Sequence, residues 1–212
     1  MEVNNVSSNQ KEAGVSFLKE ILQWLEAIVI SIIIALLIRA FIFEPVEVQG
    51  QSMENTLYNN ERLILYKLGY LFSEPKKGDI VVLQVQEGFF KYIPFIENLP
   101  FIKKINPFPQ EIDYIKRVIG LPGDKIEIKG GHVFVNDEKL DENYTKGLTM
   151  ERPFGSSGIT SYPVIVPEGK VFVLGDNREN SSDSRTIGFI DIKKIKGKAV
   201  FRFWPLNRFG KL

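Results

Sequence analysis

The run from Ile21 to Phe43, ILQWLEAIVISIIIALLIRAFIF, limits what this chain can fold into more than any other segment. Its 23 residues would make a helix about 34 Å long, against a bilayer hydrocarbon core of roughly 30 Å. No charge occurs from Ala27 to Ile38, and Glu26 and Arg39 fall near the ends, where long side chains reach the headgroups. A cleavable signal peptide would need a shorter apolar core, a basic leading region and a small-residue cut site. Here the stretch starts late and runs straight into Phe43-Glu44-Pro45. The expectation is a retained transmembrane anchor over 17–43, preceded by a polar, disordered tail over 1–16. Lys11 and Lys19 lie before the span and Arg39 and Arg62 after it, so the count of basic residues does not orient it.

The 169 residues from 44 to 212 suffice for one domain with a sizeable core. With 27 basic and 26 acidic residues the net charge is +1, so the electrostatic footprint of a nucleic-acid partner is missing. No cysteine is present, which excludes disulfides, thiolate zinc sites and cysteine nucleophiles. Short alternating segments read as strands: 46–48, 62–67, 79–86, 124–129, 132–136, 170–174 and 197–204. Gly130-Gly131 is a strong two-residue hairpin signal between two of them. No long amphipathic helix competes with them, so the expected fold class is mainly β, an antiparallel domain behind one N-terminal helix.

Residues 89–112 do not follow strand logic. Pro94-Phe95-Ile96 recurs as Pro100-Phe101-Ile102, and Pro107-Phe108 follows. The prolines break regular structure, yet the aromatics are too many for a solvated loop. Two readings stand: a loop folded onto the core, or an insertion dipping into the bilayer with Lys91, Lys103 and Lys104 at the headgroups.

Three further segments carry chemistry. In YIKRVIGLPGD (114–124), a strand would set Tyr114, Lys116 and Val118 on one face and Ile115, Arg117 and Ile119 on the other. Lys116 then sits between an aromatic and a β-branched neighbour, and desolvation drives its pKa down. A neutral amine can serve as general base for a hydroxyl nucleophile. The segment GQSMENTL (50–57) offers Ser52 after a glycine that permits a tight backbone approach. The third, GDNRENSSDSR (175–185), is dense in small polar residues and paired charges suited to orienting other groups.

In order and content the anchor and these three segments resemble the boxes of type I signal peptidases, membrane-bound Ser/Lys proteases that remove signal peptides from exported proteins. The resemblance covers nearly the whole chain from about residue 20. It implies a β-sheet catalytic domain of the kind shared with repressor peptidases, outside the cell membrane, with the N-terminus in the cytoplasm. Ser52 would be the nucleophile, with its backbone N–H binding the oxyanion, and Lys116 the general base. Ser181 would hydrogen-bond the lysine amine, Asp183 and Arg185 would hold the loop, and Asp176 would pair with Arg117. Val48, Gly50, Met53, Leu57, Tyr114 and Ile115 would line the substrate site, which accepts small residues, usually alanine, one and three positions before the cut. Such a dyad needs no histidine, and the single one, His132, falls at a hairpin. No metal or cofactor is implied, since GLPGD (120–124) reads as a turn rather than a phosphate cradle. The expected partners are signal peptides and the lipid bilayer, and the expected state is a monomer.

Two positions depart from the family pattern. Asn55 stands where many relatives have proline, and asparagine also tolerates turn conformations. Gly50 stands where some relatives carry a serine whose hydroxyl helps bind the oxyanion, so a second donor is unidentified. Two alternatives compete with the signal-peptidase reading: a different, regulatory Ser/Lys peptidase, and a non-catalytic membrane-tethered peptide-binding protein. The anchor argues against the first; the presence of Ser52, Lys116 and Ser181 argues against the second.

Overall fold

The computed structural model describes residues 3–86, 112–152, 159 and 161–212. The chain divides after Phe43 into two units. The first is one helix, α1 (Val3–Phe41), in which Lys19–Arg39 is long and apolar enough to cross a membrane. Helix α1 begins at Val3, inside the 1–16 stretch expected to be a disordered tail. Extending an existing helix adds a hydrogen bond per residue without a new nucleus, and 3–16 contains no proline.

The second unit is antiparallel β. Its larger sheet runs β1 (Phe43–Glu47), β2 (Arg62–Tyr66), β11 (Ile195–Trp204), β3 (Ile80–Gln86), β4 (Ile112–Gly120), β9 (Lys170–Leu174), β10 (Ile190–Asp191), with β12 (Gly210–Lys211) on β11. The smaller sheet runs β7 (Glu138–Lys139), β6 (His132–Val135), β5 (Lys125–Lys129), β8 (Val164–Ile165). Two single-turn α-helices, α2 (Gly69–Phe72) and α3 (Ser184–Ile187), and two 3-10 turns, Ile192–Lys194 and Leu206–Arg208, complete the regular structure of the described residues. The Pro/Phe-rich stretch read over 89–112 lies, Ile112 apart, outside the described residues.

The periodicity of the strands decides where the core sits. In β9, Phe172 and Leu174 pack with Ile126, Val133 and Ile119, whereas Val171 and Val173 face the opposite cluster with Val81 and Leu83. That strand is buried on both faces, which explains its unbroken apolar run KVFVL. A third cluster, Val48, Met53, Leu57, Leu63, Ile80 and Ala199, fastens the segment after β1 onto the sheet. Gly130 and Gly131, at φ +60° and +81°, form the expected β5–β6 turn. A second left-handed pair, Asn136 and Asp137 at φ 54° and 69°, turns β6 into β7. Strands β7, β8, β10 and β12 are two residues each, too short for an alternation to show in the sequence.

Candidate active site

Lys116 lies in the middle of β4, opposite Val81 of β3, and is 3% exposed. Its Nζ donates to Ser52 Oγ at 2.8 Å and to the Ile115 carbonyl at 2.8 Å, with the Tyr114 ring centroid 5.0 Å away. Burial pushes its pKa down to about 8, against the opposing pull of the Asp183 and Asp176 carboxylates. Ser52 is half-buried, in the turn after Gly50, whose φ of +91° is a conformation glycine adopts without strain. Among the described residues the Ser52 N–H donates to no acceptor, which leaves it free for an oxyanion.

The turn is held from the loop that follows β9. Asn177 N–H donates to the Ser52 carbonyl at 3.0 Å, and Asn177 Nδ2 donates to the Gln51 carbonyl at 3.1 Å. Gly175 makes the approach possible. A Cβ there would lie 2.2 Å from Ser181 Oγ and 2.5 Å from the Ser52 carbonyl oxygen, distances no methyl group tolerates. The same loop carries the acidic partners. Asp176, fully buried, takes Arg117 Nε at 2.9 Å and Nη2 at 2.6 Å, and also accepts from Thr56 Oγ1. Asp183 takes Arg185 Nε at 2.9 Å and Nη2 at 2.8 Å, with Gly175 N–H at 3.1 Å. Burial alone would raise the Asp183 pKa, but Arg185 outweighs it and keeps the carboxyl below its ordinary value. Arg117, despite its own burial, is held above its ordinary value by Asp176.

Ser181 departs from its expected contact. Its hydroxyl is buried beside Asp183, whose pKa it helps lower, but it makes no well-directed hydrogen bond. The lysine amine instead turns back to the carbonyl of its own neighbour, Ile115.

A cleft of about 510 Å³ opens at the dyad, walled by residues 46–53 on one side and 113–116 on the other. Val48, Gly50, Met53, Tyr114 and Ile115 line it. Leu57 does not. It is 0% exposed and packs in the cluster beneath the cleft, because Leu57 N–H closes the turn onto the Met53 carbonyl and carries its side chain inward. The cleft runs along the edge of β4 at Ile115. Val118 exchanges hydrogen bonds with Gly78 and Asp79 on the β3 side, so alternation turns the N–H and C=O of Ile115 toward the opposite edge. Strand β9 pairs β4 only from Arg117 onward, so among the described residues no strand pairs with β4 at Ile115 on that side.

Several residues of the site were not assigned roles by sequence reasoning. Thr56, Gly175, Asn177 and Arg178 fall inside the motifs, and their spacing says nothing of which atoms they meet. Arg178 is fully buried and donates from Nε to the Gly175 carbonyl at 3.0 Å. Asn55 adopts φ +83°, closed to proline with its φ near about −65°, so the turn after Ser52 is built on a left-handed residue rather than a proline. His132 is exposed, away from this chemistry.

The family model described as signal peptidase, peptidase S26, matches residues 21–204. The chain is 38% identical over 199 residues to the signal peptidase I of Bacillus licheniformis, covering 89% of this chain and 91% of that one. It is 38% identical over 205 residues to the signal peptidase I S of Bacillus subtilis, covering 95% and 98%. A crystal structure of a signal peptidase I from Enterococcus faecalis covers 59% of this chain and 97% of its own, at 26% identity and a TM-score of 0.42. With a match across most of its length, the buried Lys116 and the half-buried Ser52 lie inside a chain that belongs to the signal peptidase family, peptidase S26.

Proposed function

We propose that this chain is a membrane-anchored serine endopeptidase that removes N-terminal signal peptides from exported preproteins. The observation that carries the reading is the 2.8 Å hydrogen bond between the buried Lys116 amine and Ser52 Oγ. Neutral Lys116 takes the Ser52 proton as Oγ attacks the scissile carbonyl carbon. The oxyanion accepts from the Ser52 N–H. The ammonium then gives its proton to the leaving amine, which departs as the new N-terminus, and an acyl group remains on Ser52. Water, deprotonated by Lys116, releases the signal peptide.

Substrate selection follows from the cleft. An extended peptide adds to the edge of β4 at Ile115, and its alternate side chains enter shallow pockets over Val48, Met53 and Ile115. Small pockets reject larger side chains by overlap, which supports alanine-type residues one and three positions before the cut. The helix through Lys19–Arg39 supports attachment to the cell membrane; a cytoplasmic N-terminus, a domain on the outer face and a monomeric state are the parts of this reading that rest on the family resemblance alone. Tethering keeps the cleft beside substrates already in the lipid and raises their effective concentration.

The test is cleavage of a preprotein with an Ala-x-Ala site, in detergent or liposomes, by wild type, Ser52→Ala and Lys116→Ala. Cleavage at that site by the wild type alone is expected, with all three proteins folded alike. Activity that survives both substitutions would defeat the mechanism.

A further inference from the structure

Three carboxylate–guanidinium pairs surround the dyad, and two of them are internal to the motifs: Asp176 with Arg117, and Asp183 with Arg185. The third guanidinium, Arg178, has its carboxylate elsewhere. Glu142, in the connection from β7 to β8, closes both oxygens onto Arg178, Oε2 accepting from Nη1 at 2.9 Å and Oε1 accepting from Nη2. Thr149 of the same connection accepts from Nη1 at 2.6 Å. A guanidinium with no exposed surface must be fully paired, because an isolated buried charge is strongly unfavourable.

The first part of that connection, residues 140–152, lies as a strap along the catalytic loop, residues 175–183 after β9. Lys146 N–H donates to the Asp176 carbonyl at 2.8 Å, and Arg178 N–H donates to the Lys146 carbonyl at 2.9 Å. These bonds make a parallel bridge between Lys146 and Asn177, whose own N–H holds the Ser52 carbonyl. On the other side of the strap, Asn55 Nδ2 donates to the Thr145 carbonyl at 2.8 Å. The Tyr144 ring covers Arg117, its centroid 4.0 Å from the guanidinium carbon, and Tyr144 Oη donates to Glu142 Oε1 at 3.2 Å. Arg152 Nη1 donates to the Ser181 carbonyl at 2.7 Å, and Nη2 donates to the Glu179 carbonyl at 2.8 Å. The strap therefore grips the nucleophile turn and the loop behind it at once. Among the described residues, none of its side chains bonds to Ser52 Oγ or Lys116 Nζ.

We propose that Glu142 and Tyr144 are positioning residues for peptide cleavage: docked on Arg178 and Arg117, they fix the register of the catalytic loop against the Ser52 turn. The proposal rests on the peptidase reading above. Its energetic path is short. Glu142 orients Arg178, Arg178 Nε holds the Gly175 carbonyl, and the Gly175 N–H holds Asp183 beside the lysine. Gly175 packs so close to Ser181 and the Ser52 carbonyl that no Cβ fits between them, so a shift of Gly175 on loss of the Glu142 pair acts directly on the nucleophile turn.

The test compares Glu142→Gln, Glu142→Asp, Tyr144→Phe and Tyr144→Leu with wild type in the full-length chain, reading kcat and KM separately on the Ala-x-Ala preprotein. A misplacement of catalytic groups by about 1 Å can cost on the order of 100-fold, so Glu142→Gln should lower kcat by roughly 10- to 100-fold with KM little changed. Glu142→Asp should recover part of the loss, and Tyr144→Phe should retain more kcat than Tyr144→Leu. Thermal melts identify any variant unfolded at the assay temperature; if Glu142→Gln is one, the Tyr144 pair carries the test. Full kcat in folded Glu142→Gln and Tyr144→Leu, or a loss confined to KM, overturns the proposal. A wild type that fails to cleave defeats the peptidase reading instead, so the two failures are distinct.

Discussion

Replacing Tyr114 by alanine strips away the ring that stands 5.0 Å from the Lys116 amine and lets water reach a group now 3% exposed. The ordinary lysine value is 10.5, and burial brings Lys116 to about 8. At pH 7 the neutral fraction is then about one-tenth, against roughly three in ten thousand for an ordinary lysine, a gain of about 300-fold in base-competent enzyme. The wild-type kcat/KM should therefore climb about tenfold per pH unit below pH 8 and level off above it, since this ratio reports the free enzyme. Rehydration in Tyr114→Ala should move the inflection upward by about one pH unit, for a loss near tenfold at pH 7 and almost none at pH 10. Loss of the ring's attraction for the ammonium acts in the opposite direction and is the smaller effect. Tyr114 also lines the cleft, so the position of the inflection, not the height of the plateau, is the readout; Tyr114→Phe keeps the ring and should keep the inflection. A wild-type profile flat from pH 6 to 9, or an inflection that stays fixed or moves to lower pH in Tyr114→Ala, would refute the assignment of burial as the cause.

Lys116→Met should abolish cleavage yet stabilise the domain at pH 6 by about 1–4 kcal/mol, because a buried ammonium is exchanged for an apolar chain of similar volume. Between about pH 8 and 10.5 the unfolded wild type holds a proton that the folded protein has released, so its stability rises with pH there. That rise should be flattened in Lys116→Met, and chemical denaturation across the range measures both effects. Gly175→Ala should be inactive and less stable, since the new methyl group meets the Ser52 carbonyl oxygen at 2.5 Å; full preprotein cleavage would show that the loop can move. Leu57→Ala should cost about 2–5 kcal/mol in a thermal melt while leaving the preference for the residue before the cut unchanged, since Leu57 packs below the cleft rather than in it.

How far the sequence could be read depends on the range of the interaction concerned. Strand alternation is local, and it put Lys116 between Tyr114 and Val118 and turned Gly130-Gly131 into a hairpin. The pairing of Arg117 with Asp176 came from the family resemblance of the motifs that hold them, since residue types alone leave Glu179 and Asp183 as competing partners. Leu57 was misplaced for the opposite reason: an apolar residue five positions after a nucleophile can face a cleft or a core, and only the turn bonded to Met53 decides. The contact expected of Ser181 depends on which acceptor the lysine chooses, and no spacing reports that choice. Glu142 was invisible, as one of several acidic residues, with Asp137, Glu138 and Asp141, in a polar stretch 36 positions from its arginine.

A lysine base makes a demand that explains much of this scaffold. Burial must be deep enough to release the proton near neutral pH, yet a domain that buries an amine among apolar groups alone would gain stability by excluding it. Here the amine is surrounded by Asp176 and Asp183, which favour its charged form, and each carboxylate is in turn neutralised by an arginine, Arg117 and Arg185. Lys116 thus experiences two opposed effects and settles at about 8, between the value of a fully desolvated amine and that of a free one. The carboxylates also hold backbone: Asp183 accepts from Gly175, and Asp176 accepts from Thr56 beside the nucleophile turn. The groups that set the charge of the base are therefore the groups that set its distance from Ser52. A substitution in this network changes both together, which is why inflection pH and kcat must be read in the same experiment to separate them.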